Sequence, residues 1–178
     1  MTQSADVTGK PSWVWGRWSG LVLAIAALTF LIDQAHKYWM LYVYDIASKG
    51  RVAVTPFLDL VFVKNIGISY SLFNQDSMTG QYLLAGFAVL VSVALWVWAA
   101  RSGESKLMAV SLALIIGGAL GNALDRVLLG GVADFFSAHA FGFYWYVFNI
   151  ADCAIVAGVA GLLYDSYKSN RNDAVKPL

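Results

Sequence analysis

The chain predicts an all-α membrane protein with a small β element, and three observations lead there. Of its 178 residues 59% are hydrophobic and only 13% charged, with a mean hydropathy of +0.63; soluble domains are nearer a quarter charged. Four long apolar runs follow one another, each near or above the ~17-residue minimum for a spanning helix. Between the first and second, residues 42–73 change texture, with short β-branched and aromatic runs broken by charges. A net charge of +1 and the lack of a basic stripe exclude a nucleic-acid footprint.

Trp18 to Ile32 carries no charge, and Trp13, Trp15, Lys10 and Arg17 flank it. The A-x-A at Ala24–Ala26 lies inside the apolar core instead of after it, so this reads as a retained first span, about 15–33, and not a cleaved leader. Asp33, Gln34, His36 and Lys37 follow, as an interfacial cap or as a local i, i+4 pair of Asp33 with Lys37. Val52, Val54, Phe57, Val61 and Val63, with Thr55 and Pro56 between, predict strands, and the platform 42–73 is placed outside the bilayer. Its end, NIGISYSLF, holds Asn65 and Gly67, where glycine allows a tight turn or a close backbone approach.

The second span is the cleanest, about 78–100, and RSGESK (101–106) is a short polar turn. The third, about 107–128, contains Gly117 and Gly121, a small-xxx-small pair suited to close helix approach. Residues 135–148 are aromatic and without period, an irregular interfacial or re-entrant loop, and the fourth span is expected over 146–164 with a polar tail at 165–178. Cys153 pairs with no other cysteine and reads as a small buried packing residue. His36 and His139 read as interfacial, and two histidines with no third ligand at zinc spacing give no metal site. With both termini and the 101–106 turn on one side, that side holds seven Lys/Arg (10, 17, 101, 106, 168, 171, 176) against five (37, 49, 51, 64, 126), which places the termini in the cytoplasm.

The stretch Gly117 to Phe136 organises the whole. Asn122, Asp125 and Arg126 interrupt an apolar helix, and Asp134 follows. An ionisable side chain at the bilayer centre costs roughly 2.5–3.5 kcal/mol, so this face must meet protein, water or substrate. In a four-span order, Asp33, Lys37, Asn65, Asn122, Asp125, Arg126, Asp134, Asn149 and Asp152 all reach one edge of the membrane. Asp134 after the third span and Asp152 at the start of the fourth can face one another. Two unit charges about 4 Å apart at an effective dielectric near 20 repel by ~4 kcal/mol, which is about three pKa units and leaves one proton shared. Such a pair activates water with its ionised member and polarises a carbonyl with its protonated one. Asn122 and Asn149 can hold the acids or the substrate carbonyl. Asp125 with Arg126 reads as a helix-end ion pair bracing the site. From the residues alone an aspartyl hydrolase and a proton-coupled transporter both stand, since membrane acids also build proton relays; a non-catalytic assembly factor is a third class.

Five blocks add a resemblance. DQAHK (33–37), NIGISYS (65–71), GGALGNALDR (117–126), Gly131, Val132, Asp134 and Phe135, and FNIAD (148–152) come in an order that resembles the bacterial lipoprotein signal peptidases, the signal peptidase II family. His36, Ser69 and Tyr70 depart from the family's usual residues. The resemblance implies a four-transmembrane-helix bundle with an extracytoplasmic β-cradle, in one domain. It implies catalytic aspartates at Asp134 and Asp152, with Asp33, Lys37, Asn65, Gly67, Asn122, Asp125, Arg126 and Asn149 binding substrate or supporting the site. It further implies an inner-membrane enzyme, acting as a monomer without metal or organic cofactor. That enzyme would cleave a prolipoprotein before its diacylglyceryl-modified cysteine, near the outer face of the membrane.

Overall fold

A computed structural model describes residues 14–67, 77–101 and 105–174. Lys10, Trp13 and Lys176, and Ser69 and Tyr70 of the NIGISYS block, lie outside the described residues. Among the described residues five α-helices and four strands follow the order α1 (Ser19–Tyr38), α2 (Ile46–Lys49), β1 (Val52–Thr55), β2 (Leu58–Asn65), α3 (Met78–Arg101), α4 (Lys106–Leu129), β3 (Val132–Ala140), β4 (Phe143–Phe148) and α5 (Ile150–Ala174). Four of the helices are long and apolar enough to cross a membrane. The strands form one antiparallel sheet in the order β1-β2-β3-β4 at the end of the bundle where α4 stops and α5 starts.

Helix α4 is the central post and packs on α1, α3 and α5. Among the described residues it is the only spanning helix more than half buried; α3 and α5 leave most of their surface to lipid, and α3 carries no charged residue before Arg101. Small residues set the packing distance. A Cβ on Gly117 would stand 2.5 Å from the Ala26 carbonyl oxygen, so only glycine lets α4 and α1 touch there. Val22, Ala26, Leu112, Ala113 and Ile116 fill that seam. Above it a second apolar cluster of Met40, Ile46, Ala133 and fully buried Phe135 glues the sheet to the end of α1. His36 belongs to this joint as a packing residue, stacked on Phe136 and edge-on to Phe135.

Three expectations need correction. The first span does not stop at residue 33: α1 continues to Tyr38 and opens into one wider turn over Trp39–Val43, closed by Tyr44 N–H on the Trp39 carbonyl at 2.8 Å. Asp33 and Lys37 neutralise one another inside the helix and need no solvent, so their charges do not end it. Residues 135–148 are no irregular loop but the hairpin β3–β4, turned by Phe141 and Gly142 at φ 51° and 81°. The fourth helix therefore begins at Ile150, after β4 has used residues 143–148, and continues to Ala174 through what reads as tail.

On the sheet, Arg51 Nη1 lies 2.8 Å from Asp59 Oδ2, and His139 Nε2 lies 3.2 Å from the other oxygen. The guanidinium hydrogen bond holds the Asp59 carboxyl below the usual carboxylate range, with His139 assisting, and the cluster links β2 and β3 to the residue just before β1.

Candidate active site

The start of α5 is built by its own sequence. Asn149 caps the helix: its Oδ1 accepts from Asp152 N–H at 2.9 Å, while Asp152 Oδ2 accepts from Asn149 N–H at 3.1 Å. This reciprocal exchange satisfies two backbone donors that a helix start leaves open. It also fixes the Asp152 side chain at the positive end of the helix dipole, where a carboxylate is favoured. Asn122 Nδ2 donates to the remaining Oδ1 at 2.8 Å.

Asp134 arrives from the other direction, on β3 opposite Val63 of β2. It is 1% exposed. Its Oδ1 accepts from Asn149 Nδ2 at 2.6 Å and its Oδ2 from Asn65 Nδ2 at 3.2 Å. Burial, and next the negative charge of Asp152, push the Asp134 carboxyl up to about 7, against the pull of its two amide donors. Asn149 thus touches both acids, one through its amide nitrogen and the other through its backbone and carbonyl.

Behind the acids stands a buried lysine. Lys37 Nζ lies 2.8 Å from Asp33 Oδ2, 2.7 Å from Asp125 Oδ2 and 3.0 Å from Asn122 Oδ1, so all three ammonium protons are used. Each acid is anchored again: Asp33 Oδ1 accepts from Ala151 N–H at 2.9 Å, and Asp125 Oδ2 accepts from Ala133 N–H at 3.1 Å. Gln34 Nε2 reaches Asp125 Oδ1 at 3.0 Å and the Gly121 carbonyl at 3.1 Å. Through Asn122, which also accepts from Asn149 Nδ2 at 3.1 Å, this ion cluster sets the position of the amides that hold Asp134 and Asp152. Buried charge persists here because every member is paired and hydrogen-bonded.

Arg126 does not brace Asp125, whose cationic partner is Lys37. Position 126 lies on the cavity side of α4, and its guanidinium donates to the Asn122 carbonyl and to the Gly67 carbonyl, both at 3.2 Å. Gly67 N–H in turn donates to Asn65 Oδ1 at 3.1 Å, which closes the turn after β2. Asn65, Asn122, Arg126 and Asp152 line one end of a cavity of about 750 Å³ whose remaining wall is mostly apolar, from α4, β4 and the face of α5 bearing Val156 and Ala160. Cys153 corrects another expectation. It is exposed, not packed, because it stands on that same cavity-lining face of α5.

The family model for Signal peptidase (SPase) II matches residues 25–168. The chain belongs to the signal peptidase II family. Lipoprotein signal peptidases of Methylocella silvestris and Rhodopseudomonas palustris are each 52% identical to it, over 83% of this chain and 85% and 90% of theirs. Two solved structures, each a bacterial membrane enzyme determined by the in meso method, superpose with TM-scores of 0.72 and 0.70 at 29% and 28% identity. They cover 89% and 85% of this chain and 94% and 96% of theirs.

In this signal peptidase II chain, the residues singled out in the sequence meet at one end of the bundle, joined by the hydrogen bonds above. Two members of the network lie outside that set. Gln34 sits inside the DQAHK block and links Asp125 to α1. Tyr146 accepts a hydrogen bond from Asn65 and lines the cavity from β4. Its only signal in the sequence is a place in an aromatic run, FYWYVF, that mixes both faces of a strand.

Proposed function

We propose that the chain is an aspartic endopeptidase that removes the signal peptide from lipid-modified prolipoproteins, with Asp134 and Asp152 as its catalytic residues. The observation that carries this reading is a pair of carboxyl groups tied to one asparagine, with Asp152 of the pair lining the polar end of an apolar cavity and Asp134 buried behind it. The relatives are lipoprotein signal peptidases, and that supplies the substrate class. A signal helix is apolar and already lies in the bilayer, so a cavity walled by lipid-facing helices suits it. The polar end of the cavity then receives the peptide bond.

The chemistry follows from the two environments. Asp134, whose carboxyl retains its proton to about pH 7, donates to the scissile carbonyl oxygen. Asp152, at the helix terminus, carries the charge of the pair and takes a proton from the attacking water. As the tetrahedral intermediate collapses, Asp152 returns that proton to the leaving amine. The C–N bond breaks, a hydroxyl proton of the intermediate goes back to Asp134, and the pair is restored. Asn122 and Asn149 keep both carboxyls oriented, and Asn65 holds Asp134 from the sheet. The lysine positive charge behind Asn122 limits the total negative charge of the cluster.

A transporter would need polar groups through the thickness of the bundle. Between Leu107 and Leu124 in α4, and between Cys153 and Tyr164 in α5, the sequence has no charged residue. We further propose that the termini face the cytoplasm, that the site lies toward the outer face, and that one copy suffices.

The test is processing of a diacylglyceryl-modified precursor by the purified protein in detergent, read by gel shift. Wild type releases the signal peptide, whereas Asp134→Asn and Asp152→Asn each lose at least ~10³-fold in rate, within the range for removing one member of a catalytic unit. Cleavage near the wild-type rate by both variants refutes the assignment.

A further inference from the structure

The opposite end of the bundle has a second cavity, about 990 Å³, between the end of α3, the start of α4 and the C-terminal half of α5. Along α4 it is about 24 Å from Asn122, at 1.5 Å per residue. Three cations from three helices line it: Arg101 ending α3, Lys106 opening α4 and Lys168 on α5. Among the described residues one acid, Asp165, lies with them, and its Oδ1 already accepts from Ser105 Oγ at 2.6 Å. Among the described residues Lys106 and Lys168 form no ion pair. The first turn of α4 adds its partial positive charge to the same space.

The level of this cavity identifies what balances it. Arg101 and Lys106 stand at the ends of the two apolar runs that meet there, and half-exposed Trp98 lies one turn inside, as an interfacial anchor does. Met108 and Leu162 give the cavity an apolar floor toward the membrane. We propose that this cavity binds the phosphate of an anionic glycerophospholipid, with Lys106 and Lys168 at the headgroup and an acyl chain along the floor. Basic pockets between spanning helices recognise such headgroups.

Native mass spectrometry of the full chain, released from neutral detergent with phosphatidylglycerol or phosphatidylcholine added, tests this without reference to peptidase activity. Wild type retains phosphatidylglycerol in preference to phosphatidylcholine. Lys106→Gln with Lys168→Gln weakens that retention by about 25-fold, or fivefold per cation, and leaves the melting temperature in phosphatidylcholine unchanged. Should the double variant fail to fold, Lys168→Gln alone, on an exposed position, carries the test with a loss of about fivefold. Equal retention of the two lipids, or retention insensitive to both lysines, overturns the proposal. Lysine-dependent stabilisation by inorganic phosphate with none by phosphatidylglycerol assigns a free anion and overturns it as well.

Discussion

Replacing Lys37 by methionine removes one charge from a cluster that cannot spare it. The ammonium is within 3.0 Å of three oxygens, and the side chains of Lys37, Asp33 and Asp125 are at most 3% exposed. Methionine fills nearly the same volume, so packing changes little and the result isolates electrostatics. Two carboxylates then remain buried without their cation, a situation that costs about 3–5 kcal/mol. In a chain of this length each kcal/mol moves the midpoint by roughly 2–4 °C, so a fall of about 6–20 °C is expected. Thermal unfolding in detergent, followed by intrinsic tryptophan fluorescence, measures it. Asp33→Asn and Asp125→Asn added to Lys37→Met remove the unpaired charges and should restore more than half of the loss, because residues in one network couple strongly. The functional effects follow in order: Lys37→Met lowers precursor processing through Asn122, and the triple variant regains stability faster than activity. A single variant that melts within about 2 °C of wild type would refute the claim that this lysine is the electrostatic keystone of the site.

Three more outcomes follow from the same geometry. Processing should fall about tenfold per pH unit above pH 7, as the pair loses the proton held by Asp134. The linkage has the same sign. The folded pKa of Asp134 is raised above the ~3.9 of an unfolded aspartate, so its proton stabilises the fold fully below about pH 4 and that contribution is lost as pH rises through 7. Asp134→Asn flattens this slope in pH-dependent melting curves. Gly121→Ala puts a Cβ 2.6 Å from Asp33 Oδ2, which is held by Lys37, and should cost about 1–3 kcal/mol in thermal unfolding. Gly86→Ala, where a Cβ meets nothing within 4 Å, serves as its neutral control.

The spans and the gathering of polar residues were legible because lipid imposes a simple rule on a sequence: long uncharged runs cross, and charge collects where the chain surfaces. The strands β1 and β2 were legible too, as β-branched residues in short runs. The hairpin β3–β4 was not. Phe143, Tyr144 and Trp145 are exposed on both faces of β4, so no alternation between apolar and polar marks it as a strand. The length of α1 was hidden for the opposite reason. Asp33 and Lys37 look like a boundary to any reading by hydropathy, yet once paired with each other and with Asp125 they are interior residues. Partner choice was the least legible feature. Adjacent Asp125 and Arg126 suggest each other, but neighbours one residue apart on a helix diverge by about 100°, and the true partner of Asp125 lies 88 positions earlier.

The asparagine at the head of α5 makes the last helix the final part to be installed. Until residues 149–152 are in place, Asp134 lacks one amide donor, Asn122 lacks another, and the Asp33 carboxylate lacks the Ala151 amide. A chain synthesised only as far as the hairpin therefore keeps its lysine pairs but leaves Asp134, Asn122 and Asp33 each one hydrogen-bond partner short, and the arrival of one short segment closes all three.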